Sequence, residues 1–446
     1  MIVLLAAIAL VAGERAILRA APREASAAQA QLARGDWLEV RGELPGWLSV
    51  YDHRRERPGF VRPAQVRVHD QLRGAELRAV VRFLRDAAGQ ESLGIAYAAL
   101  WMRSGDSDGA AEVNEAVGVL AERLAQTLSR RVDPRLSAER DVAESYGVRI
   151  DSIEREGHVL ACYDGAAFRA VLALPDATPA QRARAALGLT SARCLDSSGS
   201  PSQLLAWNEW RLEVLGKCDA AAAPVPLGEL VRLRRAEALS WLAWQRGRTG
   251  ASGAQAAAEA MRELRLVDRE RLPEEERAPY EDTALRVAAS RWAAEKPATQ
   301  QRLSIRAGQP GETCLSVAKL TRCTYGQVWT ASVMSSANLI AVAVQPLGSW
   351  TELWVFHRNG RSWRADVLAP ATEVGVGYVD AAGFSPDGRR LLVVREAMVR
   401  GRLIRRFQVL RSDTLKLVAQ SSRAESLAAF AAWASANWHE TAVALR

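Results

Sequence analysis

The sequence of 446 residues predicts a multidomain α+β protein with a small N-terminal β-barrel, an all-α domain of helical hairpins and a C-terminal antiparallel β domain. Three observations predict this fold class. Short apolar runs alternate with turn residues near the N-terminus, apolar residues recur at helical spacing through the middle, and alternating runs return beyond residue 300. The length suits about three domains of roughly 100–200 residues. We place them at 14–70, 71–296 and 300–446.

The first element is an apolar run from Ile2 to Ala12, which is too short to cross a membrane as a helix and is typical of the core of a signal peptide. We therefore expect residues 1–13 to be an export signal. The basic residue that usually precedes such a run is missing, so either the start lies upstream or the leader is unusually short. Cleavage after Ala12 or Gly13 is expected to leave the β module intact. The alternative is an N-terminal helix packed on the protein.

Three short strands are predicted next, separated by the turn signals Leu44-Pro45-Gly46 and Arg57-Pro58-Gly59. The apolar residues at strand spacing are Trp37, Val40, Leu48 and Val50. Together with the segment Ala16–Pro22, which matches the family's opening strand and proline turn, this stretch resembles a bacterial SH3 domain. The resemblance covers residues 14–70 and implies a small β-barrel that tethers or binds without catalysis.

The same resemblance implies recognition of a cell-wall peptide or of another protein, with Trp37, Trp47, Tyr51 and Phe60 as candidate contacts. Alternate residues of a small barrel point inward. We therefore expect Trp37 and Phe60 to be buried, whereas Tyr51 and one face of Trp47 are expected to be exposed. Trp47 and Tyr51 are the predicted ligand-binding residues.

From Gly74 to about Glu295 the apolar spacing is helical, with breaks where Pro, Gly and Ser cluster. Paired helices of this kind are similar in architecture to tetratricopeptide repeats, but the family's period of Gly, Ala and Pro is absent. The aromatic pairs Trp207 with Trp210 and Trp241 with Trp244 are expected to pack in the core rather than to line a groove. The predicted helices span 74–87, 92–103, 110–129, 136–146, 179–194, 202–217, 227–246, 253–267 and 279–294.

Beyond a linker at 295–299 the segment 383–394 reads as a strand, a Ser-Pro-Asp-Gly turn and a second strand. It resembles the hallmark of a WD40-like blade, as in the TolB-type propellers. Related turns begin at Ser335 and Ser435, so the interval is 50 residues, which suits a four-stranded blade. Two blades and part of a third fall short of a ring. Either strands at 302–306 and 314–320 complete an open, propeller-like assembly, or the chain continues.

Five cysteines indicate an oxidising compartment only weakly, because the number is low and odd. Cys314 and Cys323 flank a predicted strand at 315–320, and a tight hairpin would join them. Cys162 and Cys194 lie at the same end of two predicted antiparallel helical segments, which makes a second disulfide feasible. Cys218 is left outside this scheme. Five unpaired core cysteines in a cytosolic protein are the alternative.

One interhelical loop has the spacing of an EF-hand calcium site, with Asp106, Asp108 and Glu115 at three of the ligand positions. Ser104 stands where that family has aspartate, and no second hand follows. A polar loop that caps the next helix is the favoured interpretation, and no metal site is assigned. The five histidines have no metal-ligand spacing, and neither a nucleophile elbow nor a phosphate loop occurs.

These observations predict a periplasmic cell-envelope protein that binds or scaffolds, with no catalytic activity and no cofactor. The expected partner is a protein or a cell-wall peptide, and the membrane is involved only through export. The formal net charge is +8, but arginines are spread along the chain without interleaved aromatic residues, which argues against nucleic-acid binding. The alternatives are a cell-wall hydrolase targeted by the SH3-like module, or its regulator, and a cytosolic assembly factor.

Overall fold

A computed structural model of the protein describes residues 7–14, 16–69, 74–105, 109–155, 157–195, 199–296, 302–435 and 438. The chain forms two compact units, one of residues 1–198 and 217–223 and one of residues 199–216 and 224–446. This division differs from the three expected domains, because the helical middle is shared between the units. Its first helices bury their apolar faces together with the N-terminal sheet, and its later helices do so with the C-terminal strands.

The first unit begins with a seven-stranded sheet of order β3-β2-β6-β5-β4-β1-β7. Strands such as β2 and β5 alternate buried and partly exposed residues, and the sheet encloses an apolar core that includes Leu18, Leu38 and Val50. Gly46, at a φ of 74°, makes the tight turn between the fourth and fifth strands. The strands are β1 (Ile8–Val11), β2 (Ala16–Arg19), β3 (Ala28–Leu32), β4 (Trp37–Leu44), β5 (Trp47–Asp52), β6 (Arg57–Val61) and β7 (Val66–His69).

Strand β1 lies within the stretch that we expected to be removed as a leader. It pairs with β4 on one side and with β7 on the other, and Ala9, Leu10 and Val11 have no exposed surface. Cleavage after Ala12 or Gly13 would therefore remove a central strand rather than leave the module intact. The apolar run is explained by burial on both faces of this strand, and residues 1–6 lie outside the described part of the chain.

Helices and one hairpin complete the first unit. The hairpin was not predicted, because its residues fall in the gap between the predicted helices at 136–146 and 179–194, in a stretch whose overall pattern is helical. A capping box at Thr178 and Gln181, with Pro179 in the first turn, starts α6. The elements are α1 (Gly74–Asp86), α2 (Glu91–Arg103), α3 (Ala110–Arg130), α4 (Pro134–Ser145), β8 (Ile150–Arg155), β9 (His158–Tyr163), α5 (Ala166–Ala173) and α6 (Pro179–Leu189).

The second unit contributes further helices and a core rich in tryptophan. Trp244 and Trp292 are buried in one apolar cluster with Trp329 and Tyr378 of the C-terminal strands. Trp241 packs edge-on against Trp244 with the ring centroids 5.5 Å apart, so this aromatic pair is part of the packing. The helices are α7 (Pro201–Gly216), α8 (Leu227–Arg248), α9 (Ala254–Arg265) and α10 (Arg277–Ser290).

The C-terminal part is β structure, as predicted, with two four-stranded antiparallel meanders, β13 to β16 and β17 to β20. A short parallel pairing joins them, where Trp350 and Thr351 of β15 face Gly377 and Tyr378 of β17. The elements are β10 (Ser304–Ala307), β11 (Thr313–Val317), β12 (Leu320–Thr324), β13 (Gln327–Ser336), β14 (Leu339–Leu347), β15 (Trp350–Asn359), β16 (Ser362–Leu368), β17 (Gly377–Phe384), β18 (Arg390–Val399), β19 (Arg402–Arg411), β20 (Leu417–Ser421) and α11 (Ala428–Trp433).

The Ser-Pro-Asp-Gly segment forms the turn between β17 and β18. The hydroxyl of Ser385 donates to Asp387 at 2.6 Å, and the Ser385 hydroxyl oxygen accepts from the Arg390 amide at 2.9 Å. Gly388 supplies the positive φ of 66° that the turn requires. The related turn after Ser335 joins β13 to β14, whereas most of the third copy, from Ala436 onward, lies outside the described residues.

Two disulfides are present, Cys162–Cys194 and Cys314–Cys323, with Cα atoms 5.9 Å and 4.0 Å apart. The second pair faces across β11 and β12. The predicted single strand at 315–320 is wrong, because Ala318 takes a positive φ of 53° and turns the chain there. Cys218 is a buried thiol that donates to the carbonyl of Arg182. No helix in the described ranges is both long enough and apolar enough to span a membrane.

Candidate functional site

Strands β4 and β5 present a half-exposed group of aromatic and charged side chains on one face of the N-terminal sheet. Trp37 and Glu39 lie at alternate positions of β4, and Glu39 is paired directly with Tyr51 of β5. Arg41 follows on β4, where the register shifts, and His53 is the first residue after β5. We call these five residues the aromatic face.

The rings of the aromatic face contact one another. The imidazole of His53 stacks on Trp37 with the ring centroids 4.9 Å apart and the planes inclined by 12°. Tyr51 meets the same imidazole edge-on at 4.8 Å. The guanidinium carbon of Arg41 lies 4.0 Å from the centroid of the Tyr51 ring, within the range of a cation–π contact. The four side chains therefore form one continuous surface.

Glu39 links the charged members of the face. Its carboxylate lies 2.6 Å from Nε2 of His53, and it accepts a bond from Nε of Arg41 at 3.3 Å. The hydrogen bond with His53, and secondly that with Arg41, lowers the pKa of Glu39 below its usual range. The carboxylate is therefore ionised at neutral pH, and it holds the His53 and Arg41 side chains against Tyr51.

A buried ion network fixes the turn that carries His53. Oδ1 of Asp52 accepts from the amides of Arg54 and Arg55 at 3.1 and 3.2 Å. The guanidinium of Arg55 donates both to Asp52, at 2.8 Å, and to Asp36, at 3.0 Å. Asp36 also accepts from Arg54 at 3.0 Å. Because Asp36 and Asp52 are only 4% and 1% exposed, these bonds hold the turn rigidly beneath the aromatic face.

The prediction that one face of Trp47 is exposed is wrong, because the side chain is only 5% exposed. Arg62 covers its ring, with the guanidinium carbon 4.1 Å from the ring centroid. Arg62 is held there by the carbonyl of Gly46 at 3.0 Å and by the carboxylate of Glu24 at 2.6 Å. Trp47 and Tyr51 point to the same face of β5, so the alternation of the strand does not explain why only Trp47 is buried. The Arg62 side chain, which comes from outside the strand, covers it.

The burial of the other three predicted contact residues also differs from the expectation. Tyr51 is half-buried rather than exposed, and Trp37 and Phe60 are half-buried too, although we expected both to be inside. Trp37 packs with one side against the core of the first unit and offers the other to His53. Sequence reasoning missed Glu39, Arg41 and His53. The sequence did contain a usable indication of Glu39, because the predicted hairpin places Glu39 opposite Tyr51 on the same face of the sheet.

The possible calcium loop is tested only in part, since Asp106 and Asp108 lie outside the described residues. Glu115 is 2% exposed and belongs to α3, where its carboxylate accepts from Arg184 at 2.5 Å. A second arginine, Arg85, lies 3.7 Å away. This glutamate is therefore engaged in an ion pair within the helical layer.

No protein-family model, curated protein or solved structure matches this chain significantly. The SH3-like and propeller-like assignments therefore stay predictions.

Proposed function

We propose that the protein is an exported cell-envelope binding or scaffolding protein, without catalytic activity of its own, that recognises a peptide through its aromatic face. The observation that carries this proposal is the stacked arrangement of Trp37, His53, Tyr51 and Arg41 on the sheet surface. Half-exposed aromatic rings that are held in place are characteristic of binding surfaces, because they offer contact area at a small entropic cost.

The chemistry of the face suits a short peptide that has both an apolar group and a carboxylate. The Trp37 and Tyr51 rings provide apolar contact. Arg41 is 46% exposed, so its guanidinium is available to a carboxylate while it still contacts Glu39. Cell-wall stem peptides combine these two groups, and we propose them as the ligand class.

The SH3-like module remains part of the proposal, and so do the propeller-like blades. In support, the N-terminal sheet is small, with a β4-β5-β6 meander whose first turn lies at the predicted signal Leu44-Pro45-Gly46. The second predicted signal is wrong, because Arg57, Pro58 and Gly59 belong to β6 and the chain turns at residues 53–56 instead. Each C-terminal meander has four antiparallel strands, as a blade has. We propose that this C-terminal domain acts as a scaffold.

Export is supported by the two disulfides, since such bonds persist mainly in oxidising compartments. We propose a periplasmic location, with any leader cleaved at a point that leaves β1 in place. Intact mass of the protein recovered from the periplasm, alkylated after denaturation without reductant, tests this. Alkylation of Cys218 alone, in a chain that retains Ile8–Val11, supports export; alkylation of all five cysteines contradicts it.

Binding is tested by calorimetric titration of soluble cell-wall stem peptides into the full chain. Tyr51→Ala removes the ring between Arg41 and His53, and we expect the affinity to fall about tenfold. The matched control is Phe83→Ala in α1, which removes another aromatic ring that is 73% exposed but lies outside the aromatic face. Equal affinities of both variants, or no binding by the wild type, would contradict the proposal. Release of new fragments from purified cell wall would instead support the hydrolase alternative.

A further inference from the structure

A pocket of about 340 Å³ lies in the second unit, between the segment that follows β16 and the surface of β18 and β19. Arg395 of β18 and Arg406 of β19 line it, together with Arg400 from the turn between these strands. The carboxylate-bearing residue in the lining is Glu373. The pocket is therefore strongly basic.

Arg395 and Arg406 are directly opposite each other in the antiparallel register of β18 and β19. Side chains at such positions have Cβ atoms about 4.5–5.5 Å apart, and two like charges there destabilise the sheet. If the pair had only a structural role, an acidic residue at one of the two positions would stabilise the sheet better.

The neighbouring cross-strand pair consists of one acidic and one basic residue. Glu396 and Arg405 are also opposite each other, but their side chains lie on the other face of the sheet, where Nε of Arg405 is 2.6 Å from the Glu396 carboxylate. The same two strands therefore carry a matched charge pair on one face and two positive charges on the pocket face.

Neutral oxygens, not acids, hold Arg395. Its guanidinium donates to the carbonyl of Ala369 at 2.6 Å and to the side-chain oxygen of Gln408 at 2.9 Å. Burial lowers the pKa of Arg395, and the charge of Arg406 lowers it further. The positive charge is thus oriented by neutral groups, and an anion entering the pocket would relieve the repulsion.

Apart from Thr372, the rest of the lining is apolar. Val374 is 67% exposed at the rim, which is a large exposure for a branched apolar side chain. Ala397 and Ile404, which are opposite each other on the face of Arg395 and Arg406, also line the pocket. A ligand that filled this space would cover them while its charged end met the arginines.

We propose that this pocket binds a small ligand with a phosphate or carboxylate group attached to a short apolar portion. Arg395 and Arg406 hold the oxyanion, and Val374 and Ile404 contact the apolar portion. Arginine suits this role because its planar donors match the oxygens of both groups. The proposal depends only on residues of the C-terminal part, so failure of peptide binding by the aromatic face would not affect it.

The experiment titrates phenyl phosphate and benzoate into the full chain by calorimetry at constant ionic strength. We expect at least one of the two to bind, and Arg406→Gln to weaken its binding about tenfold. The matched control is Arg389→Gln, which removes the same charge about 20 Å away at the other end of β18. Preference for phenyl phosphate assigns a phosphate ligand, and preference for benzoate a carboxylate.

A stability measurement separates a ligand-binding arginine from a structural one. Without ligand, Arg406→Gln is expected to leave the melting temperature unchanged or to raise it, because the repulsion with Arg395 is removed. Absence of binding by the wild type overturns the proposal. So does an equal loss of affinity in Arg406→Gln and Arg389→Gln, or a lower melting temperature of Arg406→Gln with unchanged affinity.

Discussion

Asp36→Asn is the most informative single substitution, because it keeps the size of a buried side chain and removes its charge. The Asp36 carboxylate accepts bonds from Arg54 at 3.0 Å, from Arg55 at 3.0 Å and from the amide of Ala33 at 2.9 Å. An asparagine keeps one acceptor oxygen and points two donors at the arginines. The turn that carries His53 therefore loses the bonds that tie its two arginines to Asp36, whereas its bonds to Asp52 remain.

The magnitude follows from the exposure of the partners. Breaking a fully buried ion pair costs about 3–5 kcal/mol. The Arg54 and Arg55 side chains keep 29% and 22% of their surface in water, and Arg55 keeps its bond to Asp52. We therefore expect Asp36→Asn to lower the free energy of opening of the N-terminal sheet by about 2–3 kcal/mol.

Amide hydrogen exchange of β4 and β5 is the appropriate assay, since a chain of two units need not unfold in one step. The matched control is Asp86→Asn, whose carboxylate also pairs with an arginine, Arg85, but is 69% exposed. We expect the control to change the opening free energy of β4 and β5 by less than about 0.5 kcal/mol. Equal effects of the two substitutions would refute the reasoning that burial makes the Asp36 network strong.

Two further predictions concern the first unit. Burial raises the pKa of Tyr163 to about 12, although a hydrogen bond from the amide of Ala167 partly offsets the shift. Since an unfolded tyrosine ionises near pH 10, its contribution to stability is present below about pH 10 and is lost as the pH rises through about 12. Urea unfolding between about pH 8 and 12 checks this. The free energy of unfolding of Tyr163→Phe is expected to fall less over this range than that of the wild type. Gly59→Ala is expected to lower the free energy of unfolding by about 1–3 kcal/mol, because the new Cβ would lie 2.6 Å from the Leu18 side chain. Gly42→Ala is the control, since a Cβ at Gly42 meets nothing within 4 Å. Equal melting temperatures of these two variants would contradict the packing argument.

Periodicity and cap residues predicted the helical middle well, because α-helices are specified locally. The predicted helix at 110–129 corresponds to α3, Ala110–Arg130, and the one at 202–217 to α7, Pro201–Gly216. The turn at Ser385 was equally readable, since Asp387 and Gly388 supply its hydrogen bonds and its positive φ. In each case the decisive contacts lie within a few residues of sequence.

Predictions that depend on distant partners were less successful. The apolar run at Ile8–Val11 has the composition of a leader, and only its pairing with β4 and β7 makes it a central strand. Burial of Trp47 depends on Arg62, which is held by Glu24, far away in sequence. The aromatic face was found in part, because Tyr51 was predicted while His53 was dismissed as one of several scattered histidines.

The measurement that tests the central claim most directly is an amide hydrogen-exchange footprint of the full chain, with and without a soluble cell-wall stem peptide. Peptide recognition by the aromatic face predicts slower exchange over residues 37–53, which include β4 and β5, and loss of that protection in Tyr51→Ala. Unchanged exchange over residues 37–53 at a peptide concentration that saturates binding would contradict the claim.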